Sequence, residues 1–495
     1  MATVESPTQL RRWLAQLVQH ANGSVQSQPL NRPRGGRLAS LGHDQRIIVV
    51  SNRVSLPRAA KANDGGLAVS MSAVLNEHGG VWIGWSGKIN ETPHLQTIPH
   101  GEVTYLLQDI TSLEYEHFYM KFCNAILWPL LHYTMELPEH IRPAYETYLE
   151  VNARYAELVI SALRPGDVIW VHDFHFIPLA AELRRRGVKN RIGFFLHVPF
   201  PSREVLMTLP VHYELMSTLG AYDVIGFQTQ RDLEAFRDYA ASESIPLGAN
   251  EELSYPATFA GHFPISIDTP RFARQSKKSV ESKDAQELKA SLEGRALILG
   301  VDRMDYSKGL IQRLRAIDEL LTRQPEFRKQ FTFLQIAPPT REDIQKYAAL
   351  RAEVEALVGH INGKHAMVDW VPIRFLARGI RRETIAAFYR LARVCLVTPL
   401  RDGMNLVAKE YVAAQDPEDP GVLILSRFAG ASEELQRALQ VNPHDTEEMS
   451  NAIAQALAMP KEERRERWRN MYTILSKQTL ESWYQDYLHA LSGAS

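Results

Sequence analysis

Near the C-terminal end of this 495-residue chain runs Arg401-Asp402-Gly403-Met404-Asn405-Leu406-Val407-Ala408-Lys409-Glu410. The apolar stretch Val394 to Val397 precedes it and reads as a buried strand; the apolar-periodic stretch Leu406 to Ala414 reads as a helix. A carboxylate and a glycine therefore sit at the C-terminal mouth of a strand, where open α/β sheets bind ligands. The helix start offers free backbone N–H groups and a partial positive charge, which suit a phosphate. Asp402 would repel a phosphate and is better suited to accept hydrogen bonds from sugar hydroxyls. Glu410, inside the helix, could do the same for a ribose. The run has the outline of a site for a nucleotide sugar.

Other residues extend that outline. Arg303 and Lys308 bracket a strand-to-helix turn with Gly309 behind it. An arginine that grips two oxygens and a lysine that adds a point charge suit a diphosphate. Two solvated surface cations would look the same in isolation, and it is the strand-mouth position that favours the phosphate. Asp302 and Asp305 flank the turn and are expected to orient Arg303 or to solvate the loop. Gly65 and Gly66 open a helical segment, Leu67 to Leu75, and allow close backbone approach to a phosphate or sugar; by themselves they read as a plain turn. Arg53 and Arg341 each follow a strand, and with Tyr119 they could bind a second anion such as a sugar phosphate. Tyr119 and Trp128, taken alone, read as core aromatics. His172, Asp173 and His197 lie at strand ends, suited to catalysis or to hydrogen-bonding a sugar. A metal held by His172 and His175 is discounted, because no third ligand, D-x-D pair or H-E-x-x-H accompanies them.

The elements that must position these residues alternate along the chain. Apolar strand-like runs start at Ile47, Val81, Val168, Ile192 and Val224, and again at Ala296, Phe331, Val394 and Val422. Near-continuous apolar runs mark strands covered on both faces, hence parallel. The economical architecture is two Rossmann-like α/β domains facing across a cleft, divided near Pro264 to Pro270. Residues 1–45 stand apart. Leu10, Trp13, Leu14, Leu17, Val18 and Ala21 recur at helical spacing, and a Pro-, Gly- and Arg-containing linker follows. A formal net charge of -1 gives no electrostatic case for nucleic acid or an anionic membrane. No apolar run approaches the roughly 20 residues of a membrane helix. Two cysteines, Cys123 and Cys395, in apolar surroundings fit a reducing cytoplasm.

The ordered motifs SNR, DGGL, GGVWIGWSG, NAILWPLLHY, VHDFHFIPLA, RIGFFLHVPFPS, GFQT, DRMDYSKGL, QIAP, INGKH and TPLRDGMNLVAKEYVAAQ, spread from Arg46 to the last helix, resemble the trehalose 6-phosphate synthase family. The resemblance implies the GT-B fold, with an acceptor-binding domain over 46–265, a nucleotide-sugar-binding domain over 266–475, and a final helix, about 476–495, returning to the first. It implies transfer of glucose from UDP-glucose to glucose 6-phosphate with retention, without metal or cofactor. By the same resemblance Arg53, Tyr119, Trp128, Asp173 and Arg341 hold glucose 6-phosphate, with Arg53, Tyr119 and Arg341 on its phosphate. Gly65 and Gly66 approach the donor phosphate, Arg303 and Lys308 grip the diphosphate, and His197 and Asp402 contact the transferred glucose. Glu410 takes the ribose, and the backbone of Asn405, Leu406 and Val407 lies against the donor.

His197, Arg303, Lys308 and Asp402 are the expected catalytic set, and a front-face substitution is the expected mechanism. The donor base, expected to be read by backbone and loop shape near Val371 to Phe375, is taken as uracil by family, and the sequence leaves ADP and GDP open as donors. A cytoplasmic homo-oligomer, dimer or tetramer, is expected. No trehalose phosphatase aspartate pair follows Glu410, so the expected product is the phosphorylated disaccharide. Two rivals stand beside this reading: a synthase using another phosphorylated acceptor such as glycerol 3-phosphate, and a catalytically silent sugar-phosphate sensor. The sensor would be expected to have lost Arg303, Lys308, Asp402 or Glu410, and all four are present. Arg303→Ala is expected to lose on the order of 10²–10³ in turnover, as when one donor to a developing oxyanion is removed. Its far-ultraviolet circular dichroism should match the parent; near-parental turnover would remove Arg303 from the catalytic set.

Overall fold

The computed structural model describes residues 46–54, 56, 66–134, 140–245, 247, 257–341 and 343–493. The appendage 1–45 and Gly65 lie outside them. The chain divides into two compact units. One holds the described residues up to Pro264 together with those from Tyr484 onward, and the other is Ile265–Trp483.

The first unit is built on an eight-stranded sheet: β1 (Ile47–Arg53), β2 (Gly80–Ile89), β3 (Leu95–His100), β4 (Val103–Ile110), β5 (Val168–His172), β6 (Ile192–Phe195), β7 (Val224–Phe227) and β8 (Phe259–His262). Its spatial order is β3-β4-β2-β1-β5-β6-β7-β8. The pairs are parallel except β3 against β4, so the all-parallel expectation needs one correction. Strand β3 is an edge strand with mostly exposed residues, Leu-Gln-Thr-Ile-Pro-His, and carries no apolar run that a sequence pattern would detect. Helix α1 (Gly66–His78) follows β1, and helix α2 (Arg142–Ala162) precedes β5. The strand order reverses between β1 and β5. Arg53 ends the first of these and Asp173 follows the second, so both emerge where a doubly wound sheet opens its crevice.

The second unit is built on six parallel strands: β9 (Ala296–Val301), β10 (Phe331–Ile336), β11 (Ile373–Leu376), β12 (Val394–Val397), β13 (Val422–Ser426) and β14 (Leu439–Val441), ordered β11-β10-β9-β12-β13-β14. Helices α3 (Leu310–Arg323), α4 (Gln345–His365) and α5 (Leu406–Ala414) belong to this unit. Its core is the layer of Leu, Ile, Val and Phe that α3 and the sheet present to one another, including Leu314, Ile317, Leu321, Phe331 and Phe333. Here the order reverses between β9 and β12, whose exits carry Arg303 and Asp402. Among the described residues no helix is long and apolar enough to cross a membrane.

The last helix, α6 (Leu480–Ser492), belongs to the first unit from Tyr484 on. Tyr487 anchors it there. Its ring stacks on Trp170 at 4.6 Å and 11°, and its hydroxyl donates to the Phe194 carbonyl at 3.0 Å. The ring passes so close to β6 and β7 that a Cβ at Gly193 would lie 2.4 Å from its oxygen, and one at Gly226 would lie 2.7 Å from its ring. Both positions therefore require glycine. Tyr487→Ala should destabilise the first unit by about 3–5 kcal/mol, the range for emptying a buried aromatic site. Urea unfolding followed by tryptophan fluorescence should show an earlier transition, since Trp170 loses its stacking partner.

Candidate active site

In the first unit the site begins with Arg53. Its guanidinium lies over the Trp85 ring at 4.0 Å from the centroid, a cation–π contact that holds a charge without neutralising it. Gly87, at φ +86, leaves the guanidinium its space: a Cβ there would come within 2.5 Å of Arg53 Nη1. Trp85 also contacts Tyr119 at 5.1 Å and Tyr115 at 5.8 Å, so Arg53 and Tyr119 share one indole. Tyr119 is carried on Tyr115–Leu127, which is wound as a π-helix. The Asn124 amide donates to the Tyr119 carbonyl five residues back, at 2.8 Å, reinforcing that wider winding. π-Helical turns recur at functional sites. Trp128 follows at once, buried and tilted against His132 at 4.1 Å, with Phe174 at 5.9 Å.

Asp173 is held at φ 72, a left-handed conformation that costs a non-glycine residue energy and clusters at functional sites. Its backbone N–H donates to the Phe195 carbonyl at 2.8 Å, and its Oδ1 accepts from the His197 N–H at 3.3 Å. The exits of β5 and β6 are thereby tied together. His197 Nδ1 lies 3.3 Å from Gln228 Nε2, and its Nε2 lies 3.1 Å from His172 Nδ1. An amide nitrogen only donates, so His197 Nδ1 accepts, its Nε2–H donates to His172, and His172 carries its proton on Nε2. Burial drives both imidazoles to the neutral form: His197 is pushed down to about 3, and His172 falls well below the ordinary histidine range, with His197 adding to the effect. Both His197 ring nitrogens are thus engaged by uncharged partners, an arrangement that fixes the ring rather than moving protons. His172 pairs with His197, while His175 stacks on Phe174 and Tyr119.

In the second unit Lys308 Nζ and Asp402 Oδ2 form an ion pair at 2.6 Å. Asn405 Nδ2 donates to the same carboxylate oxygen at 3.0 Å. Asn405 sits at φ 76 as the N-cap of α5 and accepts from the Ala408 N–H at 3.4 Å. Leu406 and Val407 form the first turn of that helix, whose leading N–H groups have no intrahelical acceptor. Gly309, at φ 66, closes the Lys308 turn against the exit of β12; a Cβ there would lie 2.3 Å from the Thr398 carbonyl oxygen. Glu410 pairs with Arg382 at 2.8 Å; burial pushes its carboxyl up and Arg382 opposes the shift. Arg341, at φ 50, donates to the Tyr347 hydroxyl at 2.6 Å.

The aspartates flanking the Lys308 turn do not solvate it. Asp302 is buried and bonds Arg313 at 2.6 Å, and Arg313 also reaches Gln335 at 2.9 Å and Thr398 at 3.1 Å. Asp305 is fully buried and caps Ser307. A buried carboxylate just past the end of a strand loses water and must be paired. Sequence reasoning missed the supporting partners Trp85, Gln228, Arg313, Tyr347 and Arg382. Trp85, Gln228 and Gln335 do lie within the quoted motifs, which was the available signal.

The family model for glycosyltransferase family 20 matches residues 43–493. The chain belongs to glycosyltransferase family 20. Among its relatives, a trehalose-6-phosphate synthase of Sinorhizobium fredii is 47% identical over 458 residues, covering 91% of this chain and 99% of the relative. One from Salmonella typhimurium is 42% identical over 450 residues, covering 90% and 95%. The crystal structure of a UDP-forming alpha,alpha-trehalose-phosphate synthase from Burkholderia xenovorans, in complex with glucose-6-phosphate, is similar with a TM-score of 0.86 at 44% identity, covering 90% of this chain and 100% of that one. An E. coli structure bound with UDP-2-fluoro glucose gives 0.84 at 40% identity, covering 90% and 99%.

The two parallel-sheet units of this family 20 glycosyltransferase are those of the GT-B class. Its buried histidines make a pH prediction. Their folded-state affinity for protons is depressed, so the unfolded chain binds more protons as pH falls below the ordinary value of 6.5. The stability they contribute is fully present above 6.5 and is lost as pH falls from there toward 3. Nuclear magnetic resonance should show the His172 and His197 ring signals unchanged between pH 8 and 5, and a titration of either near 6.5 would contradict the assignment.

Proposed function

We propose that this glycosyltransferase moves glucose from UDP-glucose to glucose 6-phosphate with retention, giving α,α-trehalose 6-phosphate and UDP. The observation that carries the reading is the near-full-length likeness to enzymes named for that product, one solved with glucose-6-phosphate and one with a UDP-glucose analogue. The polar groups found at the two sheet switch points have the chemistry such substrates need.

In this reading Arg53 and Tyr119, set on Trp85, and Arg341, set on Tyr347, take the phosphate of glucose 6-phosphate. Trp128 and Asp173 bound its sugar. Arg303 and Lys308 hold the diphosphate of the donor, with Gly66 and the first turn of α5 beside it. Asp402 and His197 contact the transferred glucose, and Glu410 the ribose. The domain assignment follows: acceptor binding chiefly from 46–265, donor binding from 266–475. The C1–O bond to UDP loosens first, leaving an oxocarbenium-like centre. The acceptor hydroxyl attacks on the face that UDP is leaving, and its proton passes to the departing phosphate oxygen. Arg303 and Lys308 stabilise the negative charge that grows there. The reaction is cytoplasmic, and the enzyme works as a homo-oligomer.

The test measures nucleoside diphosphate release from UDP-, ADP- and GDP-glucose, with and without glucose 6-phosphate, in the presence of a chelator. Release from UDP-glucose that requires glucose 6-phosphate and survives chelation is expected. Release only with glycerol 3-phosphate would overturn the product. No release with any donor, from folded protein that still binds glucose 6-phosphate, would favour a sensor.

A further inference from the structure

The turn Tyr306–Lys308 and the residue Arg341 are far apart in sequence but meet on one buried carboxylate. Asp305 is 0% exposed. Its Oδ1 accepts from the Ser307 N–H at 3.0 Å and from the Ser307 hydroxyl at 2.9 Å, and its carbonyl accepts from the Lys308 N–H at 3.0 Å. Its Oδ2 accepts from the Tyr347 hydroxyl at 3.3 Å and lies 3.6 Å from Arg341 Nη1. That Nη1 also donates to the Tyr347 oxygen at 2.6 Å.

The direction of each bond follows from the chemistry. A guanidinium has only donors, so the Tyr347 oxygen must accept from Arg341 and send its single proton to Asp305. Burial pushes the Tyr347 phenol far above its ordinary range, so that proton stays in place. The Arg341 backbone sits in the left-handed region, and its side chain is aimed by this chain of acceptors. On the other side, the capped turn presents Lys308 to Asp402.

We infer that Asp305 is a positioning residue that sets two cationic grips at once, Arg341 through Tyr347 and Lys308 through the turn it caps. The inference rests on the proposed roles of Arg341 on the acceptor phosphate and Lys308 on the donor diphosphate. It assigns to Tyr347 a duty on the acceptor side alone, and to Asp305 a duty on both sides. Without the Tyr347 hydroxyl, Arg341 collapses onto Asp305 and is drawn off the phosphate.

Steady-state kinetics on the full chain tests this. Tyr347→Phe should raise KM for glucose 6-phosphate roughly tenfold, the worth of one charged hydrogen bond, with KM for UDP-glucose changed by less than about twofold and kcat retained. Asp305→Asn should raise both KM values. If Tyr347→Phe leaves KM for glucose 6-phosphate unchanged while Arg341→Ala raises it, the inference is wrong and the reading of Arg341 stands. Should Arg341→Ala leave that KM unchanged, the reading of Arg341 fails, and the inference with it. A lowered melting temperature with both KM values unchanged would also overturn it, by making Asp305 and Tyr347 merely structural. If Asp305→Asn does not fold, the KM pattern of Tyr347→Phe decides alone.

Discussion

A cation at the mouth of a sheet needs a partner to hold it in place. The ion pair between Lys308 and Asp402 meets that constraint in the second unit. Lys308 is largely buried, and an unpaired ammonium there would be expensive. Pairing it with the carboxylate at the neighbouring strand exit leaves the two charges balanced. The pair joins the β9 and β12 exits across the point where the sheet order reverses. Much of the local structure serves it: Gly309 lets the turn approach Thr398, Leu400 donates to the Ser307 carbonyl at 2.7 Å, and Asn405 shares the Asp402 oxygen while starting α5. Arg313, buried beneath, joins Asp302, Gln335 and Thr398 and fixes the floor.

The first unit meets a similar constraint by other means. Arg53 is kept in place by an aromatic face rather than a carboxylate, so its full charge stays available. The two partners of the His197 ring are uncharged, and order there comes from a chain of hydrogen bonds in which each ring proton has one place. The contrast follows from depth. The imidazoles are buried and driven to the neutral form, while Arg53 is exposed to water.

Most of the frame was legible in the sequence. The apolar runs at Ile47, Val168, Val394 and Val422 are strands, and Leu406–Ala414 is a helix with the bounds its periodicity indicates. These elements are buried on both faces, so local composition reports them directly. Strand β3 was not legible because its exposed residues have no apolar signature. Nor was the π winding at Tyr115–Leu127, which shifts the register of the helix without changing its composition. The strand-end residues could be named, and what they rest on could not. Trp85 reaches Tyr119, and Asp305 reaches Tyr347, through contacts that only the fold creates.

The anchoring of α6 has a consequence for synthesis. Tyr487 donates to a carbonyl 293 positions earlier in the chain, and the notch that Gly193 and Gly226 leave for it stays empty until that residue is made. A ribosome delivers the whole of Ile265–Trp483 before it delivers Tyr487. The second unit, one continuous stretch among the described residues, can therefore complete its core during translation, as domains generally do. The first unit, begun earlier, is finished last, and its sheet carries an open aromatic gap while the rest of the protein is being built.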